Sequence, residues 1–213
     1  MIAIKSYIRE VLVKLGLWYS LDTLRKTPDI LHYFRSGCSG VAPHPIKMKV
    51  VQYYLKTRQI SEFCETGTYL GDTLGFIAKS GVRCTSIELS EELYRLACKR
   101  FRGHNNVRLV QGDSGKQLPQ LLNQYDKPVL FWLDGHYSSG ITAGTETYNP
   151  ISTELKAILN HSIKKHVILI DDARCFNGKD GYPNLDDLLR VVREDGSYIA
   201  LISTDIIRLT PRS

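Results

Sequence analysis

The stretch Glu65-Thr66-Gly67-Thr68-Tyr69-Leu70-Gly71-Asp72-Thr73 constrains the fold more than any other. Ahead of it, Ile60 to Cys64 reads as a short buried strand that ends in the acid Glu65; after it, a helix is expected through about Lys79. Strand, glycine-bearing turn and helix start together make a nucleotide-binding shape. Gly67 permits a sharp turn and close approach of a ligand, and Gly71 lets the helix start sit against the strand with its amides facing that ligand. The spacing from Gly67 is Gly-x-x-x-Gly, not the dinucleotide pattern Gly-x-Gly-x-x-Gly, and Glu65 would repel a pyrophosphate. A carboxylate there suits a cationic ligand part, such as an amino group beside a sulfonium.

The pattern Glu65-x-Gly67-x-x-x-Gly71-x-Thr73 resembles motif I of class I S-adenosylmethionine-dependent methyltransferases, in the small-molecule and sugar O-methyltransferase branch with its macrocin-type and catechol-type metal-dependent members. The commonest form of that motif has glycine where this chain has Tyr69, so a bulkier loop is expected. The resemblance covers about residues 46 to 210. It implies an α/β, Rossmann-like fold: a mostly parallel seven-stranded sheet in the order 3-2-1-4-5-7-6, a C-terminal antiparallel hairpin and an N-terminal helical extension. It also implies S-adenosyl-L-methionine as cofactor, held by Glu65, Gly67, Thr68, Tyr69, Gly71 and Thr73. A glycine-bearing strand-to-helix turn is also ordinary structural punctuation, so the weight falls on residues that follow at fixed intervals.

Arg83 to Glu88 reads as the second strand, and Ser90 as the cap of a helix opening with Glu91 and Glu92, acids favourable at its N-terminal dipole. Glu88 follows Glu65 by 23 residues, at the strand end where such folds place the acid that accepts both ribose hydroxyls. Asn106 to Gln111 is the third strand; beyond it Asp113 has the chemistry to accept from an adenine amine, and Ser114 either caps the next helix or touches the ring. Glu65, Glu88 and Asp113 thus stand at the ends of three successive strands.

Pro128 to Asp134 is a nearly continuous apolar run, the fourth strand, and His166 to Ile170 is the fifth, ending in Asp171-Asp172-Ala173-Arg174. Asp134 joins the cofactor contacts the resemblance implies. Asp134, Asp171 and Asp172 lie at the ends of neighbouring strands and suit Mg²⁺ or another hard divalent cation, similar to the family's metal triad. Such an ion would orient substrate hydroxyls and lower the pKa of the attacking one. The alternative is plain turn and cap chemistry. His136, two residues past Asp134, is a candidate general base, a fourth ligand or a loop hydrogen bond; catalysis is assigned to His136 and Asp134. Tyr137 and Arg174 are candidate acceptor contacts, Arg174 suiting a carboxylate or phosphate. The glycine-rich stretch from 135 to 150 reads as a substrate-binding lid.

Two domains are expected: a basic amphipathic helical extension over residues 1–45 and the cofactor-binding domain over 46–213. The net charge of +6 is uneven: residues 1–60 carry ten Lys/Arg against three Asp/Glu, and the remainder carries 18 against 19. Ile4, Ile8, Val11, Leu12, Leu15 and Trp18 share a helical face, which either packs on the domain or a second subunit in a homodimer, or lies on an anionic membrane surface or acidic partner. Pro28, Gly37, Gly40, Pro43 and Pro45 mark residues 20–45 as a connector, and a helix over about 46–58 follows. No apolar run is long enough to span a bilayer, and Lys5, Arg9, Glu10 and Lys14 break any signal-peptide core, so a cytoplasmic protein, with peripheral contact at the inner membrane face as the variant, is expected. Five cysteines with no Cys-x-x-Cys pair argue against a disulfide framework or zinc site.

These features point to methyl transfer from S-adenosylmethionine to a hydroxyl of a sugar, glycoconjugate or similar small molecule, with divalent-metal assistance. The rivals are a nicotinamide-dependent oxidoreductase, disfavoured by Glu65 and the missing fingerprint; a nucleic-acid methyltransferase, disfavoured because the excess of basic residues lies within residues 1–60; and a non-enzymatic cofactor-binding module.

Overall fold

A computed structural model describes residues 27–134 and 149–212. The stretch 4–19, the greater part of the loop from 135 to 150, His136 and Tyr137 lie outside the described residues. Two helices come first, α1 (Thr27–Arg35) and α2 (His44–Thr57). There follow β1 (Glu62–Thr66), α3 (Asp72–Ala78), β2 (Arg83–Glu88), α4 (Glu91–Arg100), β3 (Val107–Gln111), α5 (Ser114–Leu122) and β4 (Val129–Leu133). The chain closes with α6 (Ile151–Asn160), β5 (Val167–Ile170), a short 3₁₀ turn (Ala173–Cys175), α7 (Leu185–Asp195), β6 (Tyr198–Ser203) and β7 (Ile206–Pro211).

Among the described residues the strands form one sheet in the order β3-β2-β1-β4-β5-β7-β6. β1 to β5 are parallel, and β7 runs antiparallel to both β5 and β6. This is the order the resemblance implies. Two residues separate β6 from β7, too few for a crossover, so they pair as a hairpin with Thr204 and Asp205 both at positive φ. β4 and β5 are buried at every position, as parallel strands covered on both faces must be.

Side-chain alternation divides the core in two. Cys64, Ile87, Phe131, Leu133, Ile168 and Ile170 face a layer from α5, α6 and α7. Phe63, Cys84, Leu130, Trp132, Val167 and Leu169 face a layer that includes Met48, Val51 and Leu55 of α2 and Leu74 and Ile77 of α3. Thus α2 packs on the sheet, and its N-terminus reaches the strand ends where the candidate site lies. The stretch read as a connector contains α1: Pro28 is its second residue, where proline costs little, and the other breakers fall after Arg35. No helix among the described residues is long and apolar enough to cross a membrane.

Candidate active site

The glycine loop is held from below by β2. Gly67 and Thr68 donate their amides to the Ile87 carbonyl at 2.9 and 3.3 Å, and Gly71, at φ 73°, caps α3 after donating to the Thr68 carbonyl at 2.7 Å. Tyr69, standing where the commonest motif has glycine, adopts φ 48°; the position calls for left-handed backbone, and tyrosine adopts it at some cost. Its side chain is half exposed. Thr73 faces the start of α2, its hydroxyl 3.2 Å from His44 Nε2.

Glu65 and Glu88 are both buried, at 1% and 4% exposure. Ser86 Oγ donates to Glu65 Oε1 at 2.7 Å and lies 2.5 Å from Thr68 Oγ1, which ties the strand end to the loop. Burial pushes Glu65 up to about 8; Ser86 offsets part of this, while Asp134 adds to it. Such a carboxyl suits a ligand that brings its own positive charge. Glu88 accepts from the amides of Tyr69 and Ser90, each at 2.8 Å, one on each carboxylate oxygen. Burial raises its pKa and the backbone amides pull it back. Each oxygen keeps a lone pair, enough for two ribose hydroxyls.

Asp113 caps α5 by accepting from Gly115 N at 2.9 Å. The cap is therefore Asp113, and Ser114 is the buried first residue of the helix, a correction to the reading of Ser114 as the cap. Beneath this turn lies Glu154 of α6, fully buried; among the described residues neither of its carboxyl oxygens has a hydrogen-bond partner. Burial pushes it up to about 7, and the Ser114 and Thr66 hydroxyls, near it but outside hydrogen-bond geometry, offset only part of that.

Asp134, Asp171 and Asp172 converge as expected, with one carboxylate oxygen or another from each within 4.8 Å. In donor type they match a hard divalent cation. Asp171 Oδ1, however, lies 2.6 Å from Lys47 Nζ, and Asp172 Oδ1 lies 3.0 Å from it. Arg174 Nη1 meets Asp172 Oδ1 at 2.8 Å and also pairs with Asp205 Oδ2. Burial works against the charge of Lys47, but the two aspartates outweigh it and raise its pKa. Burial, then Asp134, raises Asp171 against the pull of Lys47; burial also opposes ionisation of Asp172, yet Lys47 and Arg174 hold it below the usual carboxylate range. As arranged, two of the three carboxylates already accept from an ammonium, which takes up Oδ1 of each.

Sequence reading missed Lys47, Ser86, Glu154 and Asp205. One signal for Lys47 was present: it precedes Val51 by four residues and Leu55 by eight, so a lysine lies on the buried stripe of α2. Arg174, assigned to an anionic acceptor, here finds its anions within the chain.

No protein-family model matches the chain, and no curated protein matches it. Solved structures do. The S-adenosylhomocysteine-bound methyltransferase PaMTH1 of Podospora anserina superimposes with a TM-score of 0.57 at 15% identity, covering 78% of each chain. The O-methyltransferase TomG of Streptomyces achromogenes, involved in tomaymycin synthesis and solved with S-adenosylmethionine, gives 0.55 at 15% identity over 91% of this chain and 96% of that one. MycE of the mycinamycin biosynthetic pathway, solved with Mg, S-adenosylhomocysteine and mycinamycin VI, gives 0.52 at 14% identity, over 75% of this chain and 47% of its own. The likeness establishes the fold: the sheet is that of the Rossmann-like class I methyltransferases.

Proposed function

We propose that this chain is an S-adenosylmethionine-dependent O-methyltransferase acting on a hydroxyl of a sugar, glycoconjugate or similar small molecule. The observation that carries the proposal is the row of acids at the ends of β1, β2 and β3. Buried Glu65 suits the amino group of the cofactor's methionine part, Glu88 the ribose hydroxyls and Asp113 the adenine amine. Gly67, Thr68, Tyr69, Gly71, Thr73, Ser114 and Asp134 complete the proposed cofactor contacts. The fold shared with TomG and MycE, both solved with this cofactor or its product, supports the same reading.

The methyl group would pass from sulfur to the acceptor oxygen by in-line displacement, and the protein's part is positioning, proton removal and charge stabilisation. His136, two positions beyond Asp134 in sequence, is the proposed base. Tyr137 and the part of the Arg174 guanidinium not committed to Asp172 and Asp205 are the proposed acceptor contacts. Metal assistance through Asp134, Asp171 and Asp172 would require Lys47 to leave two of them. Residues 1–19 are proposed as the contact to a membrane surface, a partner or a second subunit.

The test is transfer of labelled methyl from S-adenosylmethionine to a panel of sugars, glycosides and other hydroxylated small molecules, with RNA as a comparison. Label on a hydroxylated small molecule supports the proposal. Label on RNA alone would favour the nucleic-acid reading, and cofactor binding without transfer to any acceptor would favour the non-enzymatic one.

A further inference from the structure

We infer that Lys47 itself supplies the positive charge at the ends of β4 and β5, in the place where the resemblance puts a divalent cation; the chemistry this serves rests on the methyltransferase reading, the contact does not. Lys47 is the fourth residue of α2, in a first turn that holds no acidic residue and where the partial positive charge of the helix disfavours a cation. Its side chain is only 8% exposed, and lysine is rarely buried unless paired. Both penalties are met by Asp171 and Asp172 at 2.6 and 3.0 Å, with Asp205 Oδ2 at 4.0 Å.

Arg174 adds a second cation on Asp172 and Asp205, so two monovalent groups are spread over acids where one divalent ion is expected. Lys47 has little freedom to withdraw. Met48, Val51 and Leu55 fix its helix in the core, and His44 meets Thr73 across to α3.

The substitution limits the acceptor. A divalent ion offers open coordination positions that chelate two neighbouring hydroxyls, whereas an ammonium offers hydrogen bonds only. Lys47 is then a positioning residue that fixes Asp171 and Asp172, and the acceptor needs one hydroxyl rather than a chelating pair.

The test is Mn²⁺ binding, followed by electron paramagnetic resonance, to EDTA-treated full-length wild type, Lys47→Met and Lys47→Arg, each with S-adenosylhomocysteine present. The expected result is no Mn²⁺ bound by wild type at millimolar concentration. Lys47→Met gains one site, and its melting temperature rises on adding Mn²⁺; Lys47→Arg, which keeps the charge, gains none. Stoichiometric Mn²⁺ binding by wild type at micromolar concentration overturns the inference, as does a folded Lys47→Met that gains no site. Should Lys47→Met fail to fold, the wild-type measurement decides. Calorimetry of S-adenosylhomocysteine on the same wild-type sample separates the two readings: absence of cofactor binding removes the methyltransferase proposal and leaves the Mn²⁺ result to judge the lysine.

Discussion

The backbone amide of Tyr69 donates to Oε2 of Glu88 at 2.8 Å, so the tip of the glycine loop hangs on the carboxylate that ends the neighbouring strand. The other oxygen accepts from Ser90, which starts the next helix, at 2.8 Å. One side chain therefore orders both a loop and a helix start. Replacing it leaves two amides without their acceptor. Glu88→Ala is expected to cost about 2 kcal/mol or more, and Glu88→Gln to do little better, since its NH₂ group opposes one of the two amides. Hydrogen exchange at Tyr69 and Ser90 is the readout: both amides should lose protection in either variant, ahead of global unfolding.

Gly71 combines a left-handed backbone with a tight contact. It sits at φ +73°, and a Cβ there would lie 2.7 Å from Cε2 of Phe101. Gly71→Ala is expected to cost roughly 2–3 kcal/mol, from the left-handed conformation and the displaced ring together. Gly196, at φ +74° with nothing within 4 Å of its Cβ position, isolates the backbone part, so Gly196→Ala should cost less than half as much. Thermal denaturation of the two variants side by side checks the difference.

Glu65 gives the unliganded protein a signed pH dependence. Its pKa in the fold is about 8, raised by burial from an ordinary value of 4.5, so the folded state holds the proton more tightly than the unfolded one. The contribution to stability is fully present below 4.5 and is lost as pH rises through 8. The ammonium of a bound amino-acid moiety reverses the preference, because it needs the carboxylate. Affinity for S-adenosylhomocysteine should therefore rise with pH up to about 8 and be accompanied by proton release, seen as a dependence of the calorimetric heat on buffer ionisation. Glu65→Gln should weaken binding and remove that dependence.

Glu154 has the same sign over a narrower window. Its pKa of about 7, raised by burial from 4.5, means that stability is lost as pH rises from 4.5 through 7, with the whole ionisation penalty present above that. Glu154→Gln should therefore stabilise the protein at pH 9 by an amount on the order of 3 kcal/mol, since one pKa unit corresponds to about 1.4 kcal/mol, and change little at low pH. Urea denaturation at both pH values checks it. Destabilisation at pH 9 would mean that the carboxylate has a charge partner in solution.

The parts of the fold legible in the sequence were those with local causes. Strand ends were marked by acids followed by glycine or serine turns, and Ser90 capped its helix as read, accepting from Leu93 N at 3.4 Å. The sheet order came through the resemblance rather than through the pattern of any strand. What escaped was set by contacts between distant parts of the chain. Lys47 and Asp172 are 125 residues apart, and no local pattern pairs them. Asp205 lies in a hairpin turn and captures Arg174 from 31 residues away, so a guanidinium that looked available in sequence is partly committed. Ser114 has the chemistry of a cap, but so does Asp113, to which the sequence reading gives only the adenine role, and the bond from Gly115 N assigns the cap to Asp113.

The central claim is that the acids at the ends of β1 and β2 hold S-adenosylmethionine. Isothermal calorimetry of S-adenosylhomocysteine on wild type and Glu88→Ala, each with Mg²⁺ and with EDTA, tests it most directly. The account predicts micromolar binding by wild type, lost in Glu88→Ala and indifferent to Mg²⁺. No binding by wild type under either condition would contradict it.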